Sequence, residues 1–140
     1  MSCLSLVRVY FRTRMESLGY VEWRDGFNFE NIPSTLLDRS FHIESGDVVP
    51  TASSHQVHEF SSPVTIRVYL KGFLDPVEAI DNAFDSADDI MMEILLPSNR
   101  IGLNVKDIVP TNISVKPLSD QNDNSVLLEL SFEGVTFNRF

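Results

Sequence analysis

A chain of 140 residues with 43% hydrophobic and 22% charged side chains has the length and composition of one globular domain. Its formal charge of -9, from 20 acidic against 11 basic residues, argues against a surface that wraps nucleic acid, because phosphate binding requires clustered Lys and Arg. The single cysteine, Cys3, has no partner for an intramolecular disulfide, and no apolar run reaches the ~20 residues of a membrane span or precedes a signal-type cleavage site. The expectation is a soluble protein held in a reducing cytosol, with no membrane partner.

Taken in chain order, residues 3–18 place Leu4, Val7, Phe11, Met15 and Leu18 at spacings of three and four, which predicts an amphipathic helix. Val7 and Val9 alternating with Arg8 and Arg12 also fit a strand. Gly19 marks the stop. From Tyr20 to Leu37, aromatics (Tyr20, Trp23, Phe27, Phe29) are interspersed with turn formers (Asp25, Gly26, Asn28, Asn31, Pro33), giving an irregular segment pinned to a core. Phe41 and Ile43 alternate with His42 and Glu44 in a short strand closed by Gly46 and Asp47. Residues 46–62, with Pro50, serines and two histidines, have few large apolar anchors and predict an exposed loop or protruding hairpin.

Val64, Ile66, Val68 and Leu70 alternate with Thr65, Arg67 and Tyr69, the period of a strand with one buried face. Asp75-Pro76-Val77-Glu78 then supplies an N-cap acceptor, a proline at the first helical position and a carboxylate at the third. The helix it starts runs from Asp75 to Leu96, with Val77, Ile80, Phe84, Ala87, Met91 and Ile94 as the stripe against a sheet, and Pro97 ends it. Val105 to Leu118, interrupted at Pro110, and Ser125 to Phe137 read as a terminal hairpin joined by the turn 119–124. Pro110 and Pro117 suit an edge strand, and exposed edges are where sheets of separate copies join. The elements predict one domain over 1–140, of α+β class, with a largely antiparallel four-stranded sheet packed by two helices and a long protruding loop or hairpin.

His55, His58 and Glu59 are the one cluster of metal-ligand types, and its order and loop-like setting differ from the helical zinc motifs, so a solvated loop outweighs a metal site. The acidic stripe Glu78, Asp81, Asp85, Asp88, Asp89 and Glu93 lacks the pocket that shifts a catalytic carboxylate and reads first as a solvated helix face. Cys3 has no base partner and no glycine-rich phosphate loop is present, so neither catalysis nor a cofactor or metal is expected. Arg8, Arg12 and Arg14 cluster near the start while acids crowd the middle, a separation that suits head-to-tail contact between copies. The candidate interaction residues are Arg8, Arg12, Glu78, Asp81, Asp85, Asp89, His55 and His58.

Three stretches, Leu18-Gly19-Tyr20, ENIPSTLLDRSFHIE from Glu30 to Glu44, and VYLKGFLDPVEA from Val68 to Ala79, together resemble tail terminator (tail completion) proteins of long-tailed bacteriophages. The resemblance is one of organisation over most of the chain. It implies a virion protein assembled in the host cytoplasm: a hexameric ring that caps the tail tube, halts polymerisation of the major tail protein, and meets the neck or head-completion protein. DNA would pass through its lumen without specific binding. Another head-to-tail joining protein, a neck or stopper component, is the nearest alternative, and a small metal-dependent hydrolase using His55, His58 and Glu59 a more distant one.

Overall fold

The computed structural model describes residues 5–53, 57–118 and 124–139, and in it two helices lie against one face of a six-stranded sheet. The elements are α1 (Leu6–Ser17), β1 (Val21–Glu22), β2 (Ser40–Ser45), β3 (Val49–Ser53), β4 (Val57–Leu70), α2 (Pro76–Leu95), β5 (Val105–Leu118) and β6 (Ser125–Arg139), with a short 3-10 turn at Pro97–Arg100. Residues 6–17 resolve as helix because Val7, Tyr10, Phe11 and Met15, at spacings of three, one and four, are all buried. The strand order is β1-β2-β4-β6-β5, with β3 also on β4, and every pairing is antiparallel except the two-residue β1–β2 contact.

The sheet therefore has six strands where four were expected, the additions being β1 and β3. Most of segment 46–62 is ladder: Val49–Ser53 pairs with β4, and residues 57–62 continue into one strand with 64–70. Residues 57–62 also pair with the last part of β6, from Gly134 to Arg139. Local alternation cannot reveal a partner about eighty residues away, so the segment reads as loop until the far strand is present. The tip, residues 54–56, lies outside the described residues.

Pro63 stands in the interior of this central strand, a position where a missing donor normally breaks a ladder. Its carbonyl accepts from the Gly46 amide at 2.9 Å. A strand residue's N and C=O point to the same side, so the missing donor faces the irregular step 46–48 between β2 and β3, where no regular ladder bond is required. A side chain at Gly46 would place Cβ 2.7 Å from Pro63 Cγ, so only glycine allows this approach.

The core is floored by Val64, Ile66, Val68 and Leu70 of β4 and by Val126, Leu128, Leu130 and Phe132 of β6. Phe11 of α1 meets Phe132 with ring centroids 5.0 Å apart, and Gly134 leaves room for Val7, whose Cγ1 would lie 2.8 Å from an added Cβ. Tyr10 donates its hydroxyl to the Ile94 carbonyl at 2.6 Å, joining the helices. Burial pushes this phenol's pKa up, against the opposing pull of Arg100 and Arg14, so it remains a donor at neutral pH.

Helix α2 begins as its sequence implies. Asp75 accepts from the Glu78 amide at 2.7 Å, and the Glu78 carboxylate accepts from the Leu74 amide at 3.0 Å. Its packed stripe, however, is rotated from the expected one. Ala79, Ala83, Ala87, Ile90 and Ile94 are buried, whereas Val77 is 68% and Phe84 52% exposed. Ala79, Ala83 and Ala87 share one buried cluster with Val126, Leu128, Leu130 and Phe132 of β6, and small side chains on the helix suit close packing against larger ones on the sheet. Periodicity ignores side-chain size and so favoured the larger residues.

Ala83→Leu is expected to destabilise the protein by about 1–3 kcal/mol through overpacking. Phe84→Ser, one position on, is expected to change stability by no more than about 0.5 kcal/mol. Urea midpoints of the two variants check this; the reverse ranking would restore the stripe read from periodicity.

Candidate interaction surface

The face of the sheet away from the helices is polar in its middle and covered at one end. The cover is the 20–37 segment, which packs Phe27 and Leu36 with Tyr69, Leu118 and Leu127, and Trp23 and Ile32 beside them. His42 Nδ1–H donates to the Trp23 carbonyl at 3.0 Å and so anchors this segment to β2. Beyond it, a charge ladder crosses four strands: Glu44 of β2 with Arg67 of β4, Arg67 Nε with Glu129 of β6 at 3.1 Å, and Glu129 with Lys116 Nζ of β5 at 2.7 Å. Arg67 and Glu129 are direct cross-strand partners. Thr65 and Ser131 hydrogen-bond beside them at 3.1 Å, and Ser61 donates to Glu133.

Burial pushes the Glu129 carboxyl up, but Lys116 and Arg67 together outweigh it and hold it below the ordinary glutamate range. Burial likewise pulls Arg67 down, and Glu44 and Glu129 more than offset that. Each charge stabilises the next in its ionised form. This is the signature of a structural network, whereas a group that exchanges protons in catalysis titrates near the working pH.

The residues singled out by sequence fall into three groups. Arg12 meets Glu22 at 2.8 Å and Arg14 meets Glu93 at 3.1 Å, so two of the three clustered arginines hold α1 to β1 and α2. Arg8 is exposed and has no ion pair among the described residues. Glu78 serves the helix cap, while Asp81, Asp85, Asp88 and Asp89 are exposed along α2. His58 is a half-buried residue of β4 whose register partners are Ser53 and Asn138, and Glu59 pairs with Lys106 at 2.6 Å. His55 lies outside the described residues. Among the described residues no group of three or more His, Cys, Asp or Glu is placed to hold a metal ion, and no helix is long and apolar enough to cross a membrane.

The surface that sequence reasoning did not single out is the apolar flank of α2. Arg14 and Ser17 of α1 both reach Glu93, which marks the side of α2 that faces α1. At about 100° per residue, Val77, Ile80, Phe84, Met91 and Leu95 fall on the opposite side of the buried stripe. Helix α2 packs over β5 and β6, so this flank lies towards the sheet edge formed by β5. On the helix side of β5, Ile113 opposes Leu130 and Val115 opposes Leu128, and Ile113 is 42% exposed. The available signal was the breadth of the apolar arc on α2, which is too wide for one sheet contact.

A comparison with known families finds none that matches this chain, and no curated protein sequence matches it.

The folded Glu129 carboxyl titrates below the value of about 4.3 of an unfolded glutamate, so its contribution is complete at neutral pH and is lost as the pH falls below that value. Glu129→Gln is therefore expected to cost about 1 kcal/mol at neutral pH, discounted for partial exposure, with the deficit shrinking on acidification. Urea denaturation across the acid range measures it; a constant deficit would show that the ladder does not contribute through charge.

Proposed function

We propose that this chain is a structural assembly protein of a long-tailed bacteriophage, a tail terminator that acts as a ring and performs no catalysis. The observation that carries the reading is the combination on α2: a capped helix that buries its alanine side and leaves Val77, Phe84 and Met92 exposed beside four exposed aspartates. An apolar surface bordered by charge is characteristic of a protein that meets other proteins.

Two of the three stretches that carry the family resemblance form structural joints. Leu18-Gly19 closes α1, with Gly19 at φ 90°, and Val68 to Ala79 runs from the end of β4 through Gly72, at φ 88°, into the cap of α2. In this reading the subunits close into a hexamer through head-to-tail contacts, which form rings when the rotation closes. The ring caps the tail tube, stops its growth, and meets the neck protein on its other side. The acidic surface repels the DNA backbone, so DNA in the lumen slides past without binding.

Sedimentation and electron microscopy of the purified protein, alone and with tail tube protein, test the proposal. The expected result is a hexamer, formed alone or on contact with tubes, that binds tube ends and limits tail length. A strictly monomeric protein with no affinity for tubes overturns it, and capture of a portal-side adaptor in place of tube protein makes it a neck component.

A further inference from the structure

We propose that the free edge of β5 and the apolar flank of α2 form one docking site, whose occupant is an extended cationic segment of another protein that adds as a further strand to the sheet.

The buried stripe of α2 packs on β5 and β6. The apolar flank next to that stripe, with Val77 and Phe84 more than half exposed, turns away from α1 and borders the open side of β5, where a strand added to the sheet would meet it.

The backbone of β5 is open on the same side. β5 ends the sheet order, and among the described residues no strand pairs with its outer side. Between Pro110 and Pro117 lie six residues, Thr111 to Lys116, without a proline, enough to present alternate N–H and C=O groups to a new strand. Ile113 and Val115 continue the helix-side apolar layer up to this edge.

Chemistry then selects the occupant. A strand added here turns alternate residues towards α2, so those residues must be apolar. Asp81 and Asp88 border the flank on α2, with Asp85 and Asp89 beyond, and they favour positive charge on the incoming segment. A second copy of this chain does not supply that. The strands along its opposite sheet edge, β1, β2 and β3, carry Glu22 and Glu44 and no lysine or arginine. The inference stands apart from the virion assignment, because any basic extended segment with apolar alternation satisfies it.

The test uses the full chain and a fluorescent peptide in which valine alternates with lysine or threonine, read by anisotropy. Saturable binding is expected, and about tenfold weaker binding for the same peptide N-methylated on alternate amides of one edge. Phe84→Ser is expected to weaken binding by a similar factor with the fold unchanged by circular dichroism, and Asp81→Lys with Asp88→Lys to weaken it and flatten its salt dependence. A valine–glutamate peptide should not bind. Absent binding, equal binding of the methylated peptide, or indifference to Phe84→Ser overturns the proposal. So does sedimentation in which Phe84→Ser abolishes self-association, since that assigns the face to a second copy. A Phe84→Ser protein that still assembles into rings while losing the peptide separates this site from the ring contacts.

Discussion

The antiparallel pairing of β4 with β6 is the constraint on which the rest of the structure depends. It runs without a register shift from Val57 opposite Arg139 to Leu70 opposite Val126. Because side chains alternate across a strand, this one register fixes both faces of the sheet at once. Val64, Ile66, Val68 and Leu70 meet Val126, Leu128, Leu130 and Phe132 under the helices, and the intervening residues put Arg67 opposite Glu129 on the far side. A slip of one residue would carry the apolar set into water and the ion pair into the core. The hydrophobic layer and the charge ladder thus specify the same register independently.

Everything else attaches to this pair. On one side, β2 and β3 follow β4 in succession, and the step between them is tolerated at Pro63 because Gly46 can approach it closely. On the other, β5 follows β6 with two register shifts, at 105–107 and 110–112, and ends the sheet. The helices then divide the floor. α1 brings Phe11 onto Phe132 and gives up two arginines to Glu22 and Glu93, while α2 comes down on its alanines.

What was legible in the sequence was what neighbouring residues decide. The Asp75-Pro76 cap and the alternation from Val64 to Leu70 are set by neighbouring residues, the β5–β6 hairpin joins strands consecutive in the chain, and each stands where it was expected. β3 and the first part of β4 were not legible, because their ladder needs the distant end of β6. The arginine cluster looked available because Glu93 lies seventy-nine residues from Arg14 in the chain. The stripe on α2 was misplaced by about one position for a different reason: its geometry depends on the size of what rises from the sheet, and apolar periodicity records no size. The candidate site followed from that error, since the residues wrongly assigned to the core are the ones left exposed.

Val77 and Phe84 share their exposure with other large apolar residues, and together these set a physical problem that composition alone hides. Leu74, Val77, Phe84, Met92 and Ile101 are each more than half exposed on a chain with a net charge of -9. The aspartates along α2 concentrate negative charge beside the apolar flank, so that an acidic surface is repelled there. The same arrangement discriminates among partners. An acidic surface, including this chain's own, pays an electrostatic cost on approach that contact with Phe84 and Val77 does not recover, whereas a basic partner gains both terms together. Exposed apolar area that would otherwise promote indiscriminate association is thereby matched to a partner of opposite charge, with the aspartates as its selector.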